Sequence, residues 1–363
     1  MATSSSTAAS HGGAPAPPPP TPSSQITAGD SSADTISRCF QRLLNLSPPT
    51  LSFPSRFSRS RFLPPNPPVV SLLHPQTDLL LAAASDLGLF HLTDHGVPVA
   101  LPSSASIECG PILRSAPNLA ALGFNEDDDD DDDDDADKVF DLGSERLNSS
   151  PAVAELGEEL ERVGMEVVKL LVAAGGLSED PFSTGKARTR CLVWFSENGN
   201  AGRKEELEEG RRRFPYVVGL QYEMKEASGP WWVLGESGEW SPVTRRADSV
   251  LVTLGDIAQV WSNGRFKKVR GVPIPHAASH QGCESSDSKS ISVLVTLAMD
   301  SIVAPLPALQ ETDGSDEENH QKFDGGQKWK LKFQSFPFAD YAWRVYNERF
   351  PFKDPLLRYR LET

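Results

Sequence analysis

The histidines are the first place to look for chemistry in this chain, because a metal site or a proton relay needs imidazoles and carboxylates gathered on one face. Two pairs stand out: His91 with His95, and His276 with His280. No histidine lies between His95 and His276. On a helix the four-residue spacing of His276 and His280 would bring both rings to one side, but Pro273, Pro275 and the Ala, Ser and Gly residues around them read as loop. The four cysteines, Cys39, Cys109, Cys191 and Cys283, are far apart and form no Cys-x-x-Cys unit. They read as free thiols of a reducing compartment rather than as a disulfide framework or a zinc site. Arg56, Arg59 and Arg61 alternate with Phe53, Phe57 and Phe62, a pattern that nucleic-acid binders use. Set between prolines, these residues read as an irregular arm on a domain surface.

The elements that must position any site are legible from periodicity. Residues 249–254 alternate, with Val250, Val252 and Leu254 on one side, and Gly255-Asp256 breaks the run. Ser262-Asn263-Gly264 is a turn signal, and the next run, 265–272, is ended by Pro273 and Pro275, which cannot donate a ladder hydrogen bond. A third run, 291–299, places Ile291, Val293, Val295, Leu297 and Met299 on one face, and residues 188–195 read as a further strand. Short strands separated by turn signals predict a mainly β fold of sandwich or jelly-roll type. Helices flank it. Residues 77–87 predict a helix ending at Gly88, followed by a buried strand at 89–92 and a turn at His95-Gly96. The clearest helix begins at Pro151, with Ser150 as its cap. Its stripe is Val153, Leu156, Leu160, Val163, Val167, Leu170, Leu171 and Ala174, and Gly175-Gly176 stops it. Such a stripe suits packing on the outer face of a sandwich. The tail from 339 opens like a helix, with Tyr341, Val345 and Tyr346 as its apolar residues.

The segments Trp240-Ser-Pro-Val243, Gly255-Asp256, Gln259-Val-Trp-Ser-Asn-Gly-Arg265, Ser292 in its strand and Pro305-Leu-Pro307 together carry a resemblance. They resemble the core of the plant 2-oxoglutarate- and iron(II)-dependent oxygenases, the family related to isopenicillin N synthase. Pro68-Val-Val-Ser-Leu72, Asp86-Leu-Gly-Leu-Phe-His-Leu-Thr-Asp-His-Gly-Val-Pro98 and Phe352-Lys-Asp-Pro-Leu-Leu-Arg-Tyr-Arg-Leu361 resemble its two ends. The resemblance covers about residues 68–363 and implies a double-stranded β-helix, that is, a jelly roll with flanking helices (α+β). It also implies that the segment holding His91 and His95 is scaffold.

The resemblance further implies iron(II) held by His-x-Asp and a distal His, with 2-oxoglutarate held by an Arg-x-Ser pair and an Asn-x-Tyr segment. Laid on this sequence, the family pattern puts Glu223 and Lys225 at His-x-Asp and Gly271 at the distal His. A lysine ammonium has no lone pair to offer a metal. Ser290 and Ser292 fall at Arg-x-Ser, so the serine is kept and the arginine lost, while Lys289 next door points to the opposite face. Val193 and Phe195 fall at Asn-x-Tyr. The expectation is a degenerate, non-catalytic member, with neither metal nor cosubstrate bound, acting as a binding or regulatory module. Trp194, Phe195, Tyr222, Trp231 and Trp232 are the candidates to line or fill its former active-site cavity. One alternative is an active oxidoreductase with unfamiliar ligands such as Glu223 and His276; another is a scaffold acting through exposed Pro- and Asp-rich segments.

A chain of 363 residues is long enough for a large core. The net charge is −15, but Glu126, the nine consecutive aspartates from Asp127 to Asp135, Asp137 and Asp141, less Lys138, account for −11 and leave −4 elsewhere. The folded part is therefore mildly acidic, and no basic stripe points to nucleic acid. No apolar run approaches the roughly 20 residues that cross a bilayer. The expected domains are a disordered Ser/Pro/Ala-rich tail at 1–34, an N-terminal region at 35–185 with an Asp-rich insertion at 126–141, and a jelly-roll core at 186–309. A disordered insertion at 310–327 and a C-terminal helix and tail at 328–363 follow. Residues 35–46 are expected to form a short helix, 198–213 a charged connection, and 279–288 a polar insertion. The partner expected is a small molecule or a protein, the state a monomer, and the location the cytoplasm, with the plastid as the alternative.

Overall fold

The computed structural model describes residues 63–114, 122–123, 139–178, 181–182, 187–197, 213–225, 229–275, 289–307, 330–347 and 354–361. The expectations for 1–34, 35–46, the arginine arm, 198–212, 279–288, 310–327, His276 and His280 lie outside these residues. So does most of the Asp-rich insertion. Its last residues, Val139–Asp141, are described and form a strand (β3).

In chain order the strands are β1 (Val69–Ser71), β2 (Leu89–Thr93), β3, β4 (Thr189–Glu197), β5 (Val218–Glu223), β6 (Trp231–Leu234), β7 (Trp240–Val243), β8 (Val250–Leu254), β9 (Ile274–Pro275), β10 (Lys289–Leu297), β11 (Ile302–Val303) and β12 (Phe336–Pro337). The main helices are α1 (Thr77–Asp86), α2 (Leu101–Glu108), α3 (Pro151–Ala174), α4 (Asp256–Trp261) and α5 (Phe338–Asn347). A seven-stranded sheet runs in the order β1-β2-β8-β5-β10-β4-β3, parallel at β1–β2 and antiparallel elsewhere. A smaller antiparallel sheet, β7-β6-β9, lies against it, and β11 pairs with β12. Two opposed sheets with helices outside are the expected jelly-roll architecture.

Strand alternation divides the large sheet into two faces. A Cβ on Gly164 of α3 would stand 2.7 Å from Val295 Cγ2 and 2.9 Å from Leu220 Cδ1, so α3 lies directly on that side of β10 and β5. Val218, Leu220 and Tyr222 share this face with Ile291, Val293 and Val295, and with Val193 and Phe195, which oppose Val293 and Ile291 on β4. Burying Leu156, Leu160, Val163, Val167 and Leu171 here stabilises the fold by about 1.5–3 kcal/mol each. That outweighs the roughly 1 kcal/mol that a glycine such as Gly164 costs within a helix. The other face carries Gln221 and Glu223 of β5, Ser290 and Ser292 of β10, Trp194 of β4 and Leu251 of β8. Leu251 packs with Leu89, Trp231, Val233, Val243 and Val269 into a second, smaller core between the sheets.

Several local details differ from the sequence reading. Ser150 does not cap α3: its hydroxyl donates to Glu108 O, and the Glu108 carboxylate accepts from Ala152 N at 2.9 Å, so α2 supplies the cap. Gly255-Asp256 ends β8 as expected and then starts α4. Residues 265–272 are not a ladder strand. Their amides bond singly to separate elements, with Lys267 N donating to Ala84 O, Val269 N to Leu254 O and Arg270 N to Leu234 O, so the segment links α1 to both sheets. Pro273 and Pro275 do not end a strand there; instead Ile274–Pro275 pairs with Trp232 and Trp231 at a sheet edge, where a missing N–H is tolerated. The Ser262-Asn263-Gly264 turn is present, with φ of 51° and 75° at its last two residues. Asn263 Nδ2 donates to Lys330 O, and its Oδ1 accepts from Lys332 N, pinning the C-terminal segment.

Candidate functional site

Gly271 fixes one end of the site. Its φ is 73°, and its carbonyl accepts a hydrogen bond from Tyr216 Oη at 3.0 Å. A Cβ there would meet Arg213 Cγ at 3.2 Å. Tyr216 Oη also lies 3.1 Å from Thr253 Oγ1, and burial pushes its phenol well above the ordinary value. Burial, then the neighbouring Arg270 guanidinium, pulls Arg213 below its ordinary value, against the attraction of Asp256. Asp256 itself faces Lys268, whose ammonium lies 2.5 Å from Asp256 Oδ1 and 2.6 Å from Asp354 Oδ1.

Glu223 is not beside Gly271. Tyr216 precedes β5, whereas Glu223 ends it, and six strand residues span about 17–20 Å. The Glu223 carboxylate instead accepts a hydrogen bond from Arg245. Lys225 lies beyond the strand end, exposed, with its amide directed to Lys289 O. Assigning Glu223 and Lys225 to the same metal position as Gly271 is therefore corrected: the side chains the structure brings to Gly271 are Tyr216 and Arg213.

The cosubstrate assignments divide by strand face. Ser290 and Ser292 point between the sheets, opposite Glu223 and Gln221. Val193 and Phe195 point the other way, towards α3, and Phe195 packs edge-on against Phe140 with centroids 6.0 Å apart. The residue of that strand on the inner face is Trp194, opposite Ser292. Of the five aromatic candidates, Trp194 and Trp231 therefore face the space between the sheets. Phe195 and Tyr222 face α3, Tyr222 meeting the His95 ring edge-on at 5.4 Å, and Trp232 alternates away from Trp231. Sequence reasoning missed Arg245. It arrives from the β7–β8 connection, places its guanidinium carbon 4.4 Å from the Trp231 ring centroid, and has a side chain only 8% exposed.

His91 and His95 are both buried and bonded within the scaffold. His91 Nε2 donates to Thr244 O at 3.0 Å, and Nδ1 lies 3.2 Å from Ser249 Oγ. His95 Nδ1 accepts from Val97 N. Burial lowers both imidazoles below the ordinary value. Cys109 and Cys191 are free thiols, and burial, then Glu161, pushes the Cys191 thiol up, the opposite of an activated nucleophile.

Known proteins resemble the chain in sequence and in fold. No family model matches the chain. A melon (Cucumis melo) 1-aminocyclopropane-1-carboxylate oxidase 3 is 26% identical over 211 residues, 55% of this chain and 57% of that enzyme. The avocado (Persea americana) 1-aminocyclopropane-1-carboxylate oxidase is 25% identical over 207 residues, 55% of this chain and 58% of that enzyme. The chain is similar in sequence to these oxidases and in fold to the 2-oxoglutarate- and iron(II)-dependent oxygenases. It spans little more than half the length of these curated relatives. Among solved folds, the rice dioxygenase for auxin oxidation covers 82% of the chain with all of its own length, at a TM-score of 0.55 and 19% identity. JOX2, solved with 2OG, Fe and JA, covers 84% of the chain with 92% of its own, at a TM-score of 0.60 and 15% identity. Both have the fold described above.

The superfamily's iron does not fit the described residues. Around Gly271 stand a phenol and a guanidinium, and the second is a cation that repels a metal. Glu223 is engaged by Arg245. Among the described residues no group of three or more His, Cys, Asp and Glu side chains is placed to hold a metal. No described helix is long and apolar enough to cross a membrane.

Proposed function

We propose that this oxygenase-fold protein is catalytically inactive and works as a binding or regulatory module, as a cytoplasmic monomer whose partner is a small molecule or a protein rather than nucleic acid. The observation that carries the reading is the pairing of Tyr216 and Arg213 with Gly271. Iron(II) affinity needs imidazole and carboxylate donors converging from one side. A phenol that burial holds protonated and a guanidinium supply none. Loss of the strand arginine at Ser290 supports the same reading, because β10 then offers a 2-oxoglutarate carboxylate a hydroxyl in place of a guanidinium.

The test is metal analysis of the purified chain reconstituted anaerobically with iron(II), together with a succinate-release assay. The expected result is substoichiometric iron and succinate at the no-enzyme level. Stoichiometric iron that disappears in Glu223→Ala, with turnover above the blank, would overturn the proposal in favour of an oxidoreductase with unfamiliar ligands.

A further inference from the structure

The inner face of the large sheet carries buried polar atoms without hydrogen-bond partners, concentrated around one residue. Gln221 is 1% exposed, and both Nε2 and Oε1 of its amide are unpartnered. Ser290, 3% exposed, has an unpartnered Oγ. Arg245 directs Nη1 to Glu223, while Nε and Nη2 have no partner. These side chains are neighbours. Gln221 and Glu223 are two residues apart on one face of β5, and Ser290 opposes Glu223 on β10, a pairing that sets Cβ atoms about 4.5–5.5 Å apart. Native interiors leave only a few such atoms per hundred residues. A group of five in one place, on a surface that also carries Ser292 and Trp194, has the character of a binding site.

From this geometry we infer that the space between the sheets holds a small hydroxy acid, its carboxylate lying against the Nε–Nη2 edge of Arg245 and its hydroxyl within reach of Gln221 and Ser290. The donors select the ligand. Trp231 covers one face of the guanidinium, so a ligand meets Arg245 in the guanidinium plane. Nε–H and Nη2–H are parallel donors that match the two oxygens of a carboxylate. Glu223 already takes Nη1, which leaves the Nε–Nη2 edge for a ligand. The Gln221 amide offers a donor nitrogen and an acceptor oxygen, and the Ser290 hydroxyl can do either, which suits a hydroxyl beside the carboxylate. The cation sits on the β7–β8 connection, so the ligand would lie differently from one held through β10.

This inference rests on the binding-module reading, and its test is separable from the iron assay. Lactate, malate and mandelate are titrated calorimetrically into the full chain, each beside its neutral amide. At least one acid should bind the wild type with a dissociation constant under about 10 mM. Its amide, Arg245→Lys and Gln221→Leu should each weaken binding at least about tenfold, because each removes one arm of the recognition. Gln221→Leu serves as the folding control: losing two unpartnered atoms should leave its unfolding temperature equal to or above that of the wild type. Three acids that fail to bind, amides that bind as well as acids, or soaked crystals with only ordered water at the three side chains would each overturn the site. Iron-dependent turnover would sink the inactive reading and leave this titration standing. Failure of the titration in an iron-free protein would sink only the hydroxy-acid site.

Discussion

Replacing Lys268 with Met tests how the segment ending at Gly271 is held. The Lys268 side chain is 0% exposed and bridges Asp256 and Asp354, which are 13% and 7% exposed. Methionine keeps the apolar stem and removes the ammonium, leaving two buried carboxylates without their shared cation. Removing one partner of a buried pair costs about 3–5 kcal/mol, and in a chain of this size each kcal/mol lowers the unfolding temperature by about 2–4 °C. A drop of roughly 10 °C at pH 7 is expected, read by thermal and urea unfolding. The pH dependence sharpens the test. Burial pushes the Asp354 carboxyl up, but the Lys268 ammonium beside it overrides this and holds the group below its ordinary value. A folded pKa below the unfolded one means that the stabilisation is present above about pH 4 and is lost as pH falls through the folded value. In Lys268→Met the carboxylates can relieve the defect by taking up protons, so the deficit should shrink as pH is lowered from 7 towards 4. A loss under about 1 kcal/mol, or one independent of pH, would refute the reasoning.

Two further outcomes are expected. Glu108→Ala should destabilise the fold by about 1 kcal/mol in urea unfolding by removing the cap of α3, and Ser150→Ala should cost less; the reverse order would contradict the cap assignment. Burial depresses the His91 and His95 imidazoles, so the stability they contribute is present above about pH 6.5 and declines as pH falls below it. His91→Gln should flatten that decline, and an unchanged slope of unfolding temperature between about pH 7.5 and 5 would argue against it.

The fold was legible wherever burial is one-sided. Helix α3 followed the expected bounds because Leu156, Leu160, Val163 and Val167 repeat at helical spacing against polar residues. The site was less legible. On β4, Leu192, Val193, Trp194 and Phe195 are all buried, so alternation carries no sign of which face looks inward, and the reading fell one residue to the wrong side. The facing strand holds the missing signal: Ser290 and Ser292 mark the inner side, and β4 inherits its parity from them. The contact of Tyr216 with Gly271 joins residues 55 apart, and nothing in either local stretch announces it. Arg245 sits in Thr244-Arg-Arg-Ala, which reads as solvated loop until its burial against Trp231 is seen.

The clamp at Asn263 sets the terms on which the chain can vary. With Lys330 and Lys332 anchored to that one amide, and β11 paired to β12, both ends of the 304–335 connection are fixed by groups outside it. The entropy of closing a loop grows only logarithmically with its length, so doubling such a connection costs about 0.6 kcal/mol. The Asn263 clamp thus works as an anchor that holds the C-terminal strand and helix in place however far the chain travels between β11 and Lys330.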